Sequence, residues 1–170
     1  MTGTLTTRPG LVRALAAMHS GELGLLRAAA LDVVAVGEGD ALSVLGPDAI
    51  GVLRAATGPT SVDFQAHSAA DGGATTFLGR ASHGIAVSAH LSLVDGDGGE
   101  HLYAAIRLVG THGSVVVDLL RPLLDVRTAA GTTRVPFGVP GAQVPPEDTT
   151  DALSAIADSA RSGRTVTTNW

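Results

Sequence analysis

HGIAVSAHLSLVDGDGGEHLYAAIRLV, residues 83–109, is the stretch on which the reading of this chain turns. Along 83–94, Ile85, Val87, Ala89, Leu91 and Leu93 fall on one parity, opposite Ser88, His90 and Ser92. Along 100–109, Leu102, Ala104, Ile106 and Leu108 oppose His101, Tyr103 and Arg107. A period of two with one apolar and one polar set is the pattern of a half-buried β-strand. The residues between, Asp95-Gly-Asp-Gly-Gly99, are turn chemistry. Two alternating runs joined this closely predict an antiparallel hairpin, because a parallel pair needs a long crossover.

The same pattern extends outward. Ser61–Ser68 sets Val62, Phe64 and Ala66 against Asp63, Gln65 and His67. Further strands are expected at 74–79, 114–120, 124–128 and 132–137, and a mostly apolar one at 25–36. On the strand at 114–120, Ser114 and Asp118 share a face. Helices fit Pro9–Ser20, with proline in the first turn and Gly21 beyond the end, Pro47–Thr57, stopped by Gly58-Pro59, and Asp151–Ser162, capped by Thr150 and ended by Gly163. Val135–Asp148 is rich in Pro and Gly and reads as a loop. Many strands with a few helices predict an α+β fold, with a largely antiparallel open sheet and helices packed on one face.

Composition sets the outer limits. The 170 residues suit a single domain over 1–170; 45% are apolar and only 3% aromatic, so Leu, Val, Ile and Ala must fill the core. A net charge of −5 and the lack of a basic run argue against nucleic acid as a partner. No apolar run approaches the roughly 20 residues of a membrane span, and the first nine residues lack a signal pattern. A cytoplasmic location is expected, in a bacterium with a GC-rich genome. The absence of Cys removes disulfides and thiolate chemistry, and all 11 basic residues are Arg, so no lysine Schiff base is available.

Local motifs for cofactors are weak. Val33–Val36 running into Gly37-Glu38-Gly39 resembles the start of a dinucleotide fingerprint, but the third small position is Leu42, too bulky for close packing, and no repeated βαβ pattern follows. The six His have no helical metal spacing, and Asp95-Gly-Asp97 lacks the remaining ligands of a calcium loop. Neither a metal nor a cofactor is expected. The polar parity set holds the residue types of acid–base chemistry, with Asp63, Gln65, His67, Ser88 and Ser92 as candidate substrate contacts and His90, His101, Tyr103 and Arg107 as candidate catalytic groups. A solvated sheet face or a polar dimer interface would show the same alternation.

Val109-Gly-Thr-His-Gly-Ser-Val-Val-Val-Asp118 and Phe77–Ser92 resemble, respectively, the "G-t-x-G-s-l-x-l-D" segment and the strand, glycine turn and strand of the C-terminal domain of Gfo/Idh/MocA-type oxidoreductases. Met18-His-Ser-Gly-Glu-Leu-Gly24 is similar to its "G-x-[IL]-G" turn, and Leu45–Gly58 to the helix that follows. The resemblance implies an open sheet, part of a substrate pocket and an oligomer interface. In full-length members a Rossmann domain binds NAD(P) and supplies a catalytic Lys; this chain begins where the second domain would begin and has no Lys. The family's D-x-x-x-H-x-x-D helix pattern falls on Val44, Asp48 and Gly51, so Asp48 stands at the place of the catalytic His and both acidic positions are lost.

The expected function is therefore a stand-alone metabolite-binding domain, a homodimer with a small organic ligand. It would be a cofactor-independent isomerase, cyclase or lyase of bacterial secondary metabolism, with Asp48 as a further candidate catalytic residue and no NAD(P) oxidoreductase activity of its own. The alternatives are a substrate-binding subunit of a split oxidoreductase, completed by a separate Rossmann-domain protein, and a non-catalytic dimerisation scaffold.

Overall fold

The computed structural model describes residues 4–96, 100–121, 123–136 and 148–170. After a 3-10 turn at Leu5–Thr7, the chain runs through α1 (Pro9–His19), β1 (Leu26–Val36), α2 (Ala41–Thr57), β2 (Ser61–Ser68), β3 (Ala74–Ala81), β4 (Ala86–Val94), β5 (His101–Gly110), β6 (Gly113–Asp118), β7 (Leu123–Thr128), β8 (Gly131–Pro136), α3 (Thr150–Ser162) and β9 (Val166–Asn169). All nine described strands belong to one sheet, in the order β8-β7-β6-β5-β1-β4-β3-β2-β9. Only β1 and β4 are parallel; every other pairing is antiparallel. The fold is α+β, with a largely antiparallel open sheet.

That order corrects the expected hairpin. β4 and β5 do not pair; β1 lies between them, parallel to one and antiparallel to the other. Residues 95–100 need only step across one intervening strand, a gap of about 10 Å that six residues easily span. The long crossover that a parallel pair requires is supplied by everything between β1 and β4, beginning with α2. A short link thus specified direction but not adjacency.

Alternation sorts the sheet into two faces. Leu31, Val33, Phe64, Leu91, Ile106 and Val117 are buried against the helices. Phe64 packs edge-on to Phe77, with ring centroids 5.5 Å apart, and to Trp170, at 5.0 Å. The final strand β9, which sequence reasoning missed, borders β2 over Ser61–Phe64 only. Beyond it, the fully buried Ser159 of α3 takes over, accepting the Ala66 amide at 3.0 Å and donating to the Arg164 carbonyl at 2.7 Å.

Helix α2 begins six residues before the expected start at Pro47. Asp40 caps it, accepting from the Ser43 amide at 2.8 Å, and Pro47 sits inside the helix. The cap of α3 is Thr149 rather than Thr150, whose amide bonds Asp148 instead. The glycines of the 97–99 turn, Phe137 and most of the expected 135–148 loop lie outside the described residues.

The glycines that carry the family resemblance have a packing role. The turn at 20–24 docks on the β5–β6 corner: the His112 amide donates to the Leu23 carbonyl and the Thr111 amide to the Leu25 carbonyl, both at 3.0 Å. A Cβ on Gly110 would lie 2.0 Å from that Leu23 oxygen.

Candidate functional site

On the open face, register lines up cross-strand rows. One runs His67–Thr76–His90–Asp32–Ala105–Asp118 across β2, β3, β4, β1, β5 and β6. The next runs Gln65–Leu78–Ser88–Ala30–Arg107–Val116. Thr76 Oγ1 lies 2.8 Å from His90 Nδ1 and fixes the ring's tilt. Asp32 was not singled out in the sequence, although its parity opposite Leu31 and Val33 was the signal.

Because β1 intervenes, His90 does not meet Tyr103 or Arg107 as hairpin neighbours would. They stand two strands apart, about 10 Å laterally. Ser92 and Tyr103 each flank Val34 instead. Asp63, at the other margin, accepts from Thr167 Oγ1 at 2.6 Å and faces Arg80. The open face therefore holds most of the expected polar residues, spread across the strands of the sheet. It also exposes apolar area: Leu78 is 60% and Tyr103 46% exposed.

His101 is not among them. The register passes from Val34↔Tyr103 to Ala35↔His101, so Leu102 is an extra residue in β5. Such a β-bulge reverses the alternation. Leu102 is turned out, 52% exposed rather than buried, and His101 takes the side of buried Ala35, facing the helices. The expectation that His101 shares a face with Tyr103 and Arg107 is corrected on this point.

On the helix side His101 lies within electrostatic reach of Asp48 and Arg8, from segments far apart in sequence. Asp48, on α2, accepts the Leu5 amide through Oδ2 at 3.0 Å, which pins the 3-10 turn and so delivers Arg8, the residue preceding α1. His101 Nδ1 and Arg8 Nε are both buried without a hydrogen-bond partner. Burial lowers the His101 pKa; Asp48 pulls it up and Arg8 pushes it down, and the net direction is down from 6.5. The imidazole is therefore neutral at pH 7, able to donate at one nitrogen and accept at the other. Nothing in local sequence marked Arg8; only the docked turn brings it here.

A measurable consequence follows from that shift. The unfolded chain takes up a proton near pH 6.5 while folded His101 resists it, so this group's contribution to stability is complete above 6.5 and is lost as the pH falls. Thermal melts from about pH 8 to about pH 5 should show a shallower acid-side decline for His101→Gln than for the wild type. Parallel curves would contradict the shift.

Among the described residues no group of three or more His, Cys, Asp or Glu could hold a metal, and no helix is long and apolar enough to cross a membrane.

No family model matches the chain, and no curated protein sequence matches it. Solved structures do match in fold. A Thermotoga maritima protein assigned as an oxidoreductase aligns with 97% of this chain at a TM-score of 0.79 and 16% identity. An oxidoreductase from Agrobacterium radiobacter, in complex with NAD+, L-tartaric acid and magnesium, aligns with 94% at a TM-score of 0.74 and 16% identity. The aldose-aldose oxidoreductase of Caulobacter crescentus, complexed with glycerol, aligns with 94% at 0.73 and 17%. The chain spans 62%, 61% and 60% of these three proteins respectively. The neighbours are Gfo/Idh/MocA-type oxidoreductases, and the expected fold is the one observed.

Proposed function

We propose that this chain, with the fold of the C-terminal domain of Gfo/Idh/MocA-type oxidoreductases, binds a small polyhydroxylated metabolite at Arg8, Asp48 and His101 and meets a second copy of itself through the bare sheet face. The carrying observation is the pair of buried, unpartnered nitrogens, His101 Nδ1 and Arg8 Nε, in one ionisable cluster. An unsatisfied buried polar group costs about 1–3 kcal/mol, so its presence calls for a reason, and a ligand that engages these side chains is one. L-tartaric acid and glycerol, bound by two of the fold neighbours, set the scale of ligand.

The chemistry we favour is a proton-transfer step without a redox cofactor, such as an isomerisation, cyclisation or elimination in bacterial secondary metabolism. A neutral imidazole beside a carboxylate is suited to it. NAD+ in the Agrobacterium neighbour favours a second reading, a substrate-binding subunit completed by a separate Rossmann-domain protein. The open face supports homodimerisation on size: nine strands of about 20 Å, spaced about 4.8 Å apart, offer an area on the order of 800 Å², that of a standard interface per partner. On this reading Asp63, Gln65, His67, Ser88, His90, Ser92, Tyr103 and Arg107 belong to the interface and not to the pocket. A purely structural scaffold would keep the dimer and bind nothing.

The test is calorimetric titration with polyols and sugar acids. Asp48→Asn and His101→Gln should each weaken binding about tenfold or more, near 1.4 kcal/mol, while His90→Ala and Arg107→Ala leave it unchanged. The opposite pattern would move the site to the open face.

A further inference from the structure

The three side chains of this cluster are not equivalent in what they still lack. Asp48 has committed Oδ2 to the Leu5 amide, and Oδ1 has no partner among the described residues. His101 has an unpartnered buried nitrogen and is partly exposed as a residue. Arg8 is partly buried, its Nε is buried and unpartnered, and among the described residues its guanidinium donates no hydrogen bond and forms no ion pair. The described ion pairs engage Arg121, Arg134 and Arg161, each with a carboxylate nearby in its own element or hairpin. Arg8 makes no such pair among the described residues, and the carboxylate of the cluster, Asp48, is held through Oδ2 by the Leu5 amide.

A guanidinium in that condition is matched by a planar oxyanion, which accepts two parallel N–H bonds and satisfies the charge together with the geometry. A hydroxyl offers one neutral bond and leaves the charge half desolvated. The free Asp48 oxygen asks for the reverse partner, a donor hydroxyl. The negative charge of Asp48 disfavours a doubly charged phosphate more than a singly charged carboxylate. One molecule that satisfies all three carries a carboxylate at one end and hydroxyls along its chain.

We propose that the Arg8–Asp48–His101 cluster selects sugar acids, hydroxylated carboxylates, over neutral polyols, with the carboxylate on Arg8, a hydroxyl donating to Asp48 and a second oxygen on His101. This rests on the reading of the cluster as the metabolite site. It adds a ligand class, and it makes Arg8 the specificity-determining residue.

Three matched pairs test it: glycerate against glycerol, L-tartrate against threitol, and gluconate against glucitol, titrated by calorimetry into the full chain. At least one acid should bind about tenfold or more tighter than its polyol, the difference between charge-assisted and neutral hydrogen bonding. Arg8→Gln should weaken acid binding about tenfold or more and so abolish that preference, and Arg8→Lys should fall between the two. Thermal melts establish that each variant is folded. Equal affinity within every pair, or a preference that survives Arg8→Gln in a folded protein, overturns the selectivity but leaves the site. If none of the six compounds binds, the site itself fails and the selectivity with it.

Discussion

Replacing Gly110 with Ala should destabilise the protein by about 3 kcal/mol or more, a large share of a typical domain's stability. The added methyl would lie 2.0 Å from the Leu23 carbonyl oxygen and 2.8 Å from its carbon. That carbonyl cannot rotate away like a side-chain tip, since it accepts the His112 amide at 3.0 Å. Relief would require the whole turn to lift, losing that bond, the Thr111–Leu25 bond and the Leu25 amide's bond to Thr111 Oγ1 at 3.1 Å. It would also draw the fully buried Leu23 out of the core. Each bond is worth about 1 kcal/mol and overpacking adds about 1–3. Gly21→Ala is the control: the space around it is open and only its φ of 83° is unfavourable, a cost of about 1 kcal/mol. Urea denaturation measures both, and a Gly110→Ala loss below about 1 kcal/mol would contradict the docking.

Phe64→Ala should cost about 3–5 kcal/mol, and in the same assay His67→Ala should cost nearly nothing. The two residues are three apart on β2 and point to opposite faces. Phe64 is fully buried and forms edge-to-face pairs with Phe77 and Trp170, so its loss opens a cavity and removes two aromatic contacts of about 0.5–1.5 kcal/mol each. Only five residues of the chain are aromatic, and three of them meet here. Loss of this knot should also free β9, which is tied to the sheet by paired backbone bonds between Thr60 and Trp170 at 3.0 and 3.1 Å. A modest effect at Phe64 would show that the core repacks around the gap.

Much of the sheet was legible because alternation is a local property: the parity of Val62, Phe64 and Ala66 alone predicts which side of β2 is buried. The failures were non-local. No feature of residues 83–109 states that β1 inserts between the two alternating runs, since that pairing is decided by where the 26–36 segment finds partners. Leu102 looked like one more apolar step of the period, and the bulge that turns it outward depends on its pairing with β1. That one residue moved His101 from the expected open-face group to Asp48 and Arg8. The expected helix at Pro47–Thr57 is too short because proline suits a first turn, whereas Asp40 and Ser43 form the actual cap of a helix that starts six residues earlier. The resemblance singles out Asp48, yet its bond to the Leu5 amide could not be inferred without the fold.

The six histidines allow the central claim to be read in one experiment, because they report from different parts of the molecule. His67 and His90 lie on the open face and His101 on the helix side. The imidazole proton resonances should be assigned by single substitution and followed in two titrations, one with gluconate or L-tartrate and one by dilution of the protein. The account predicts that ligand shifts His101 while His67 and His90 stay, and that dilution shifts His67 and His90 while His101 stays. Ligand-dependent shifts at His67 and His90 with His101 unmoved would place the binding site on the open sheet and contradict it.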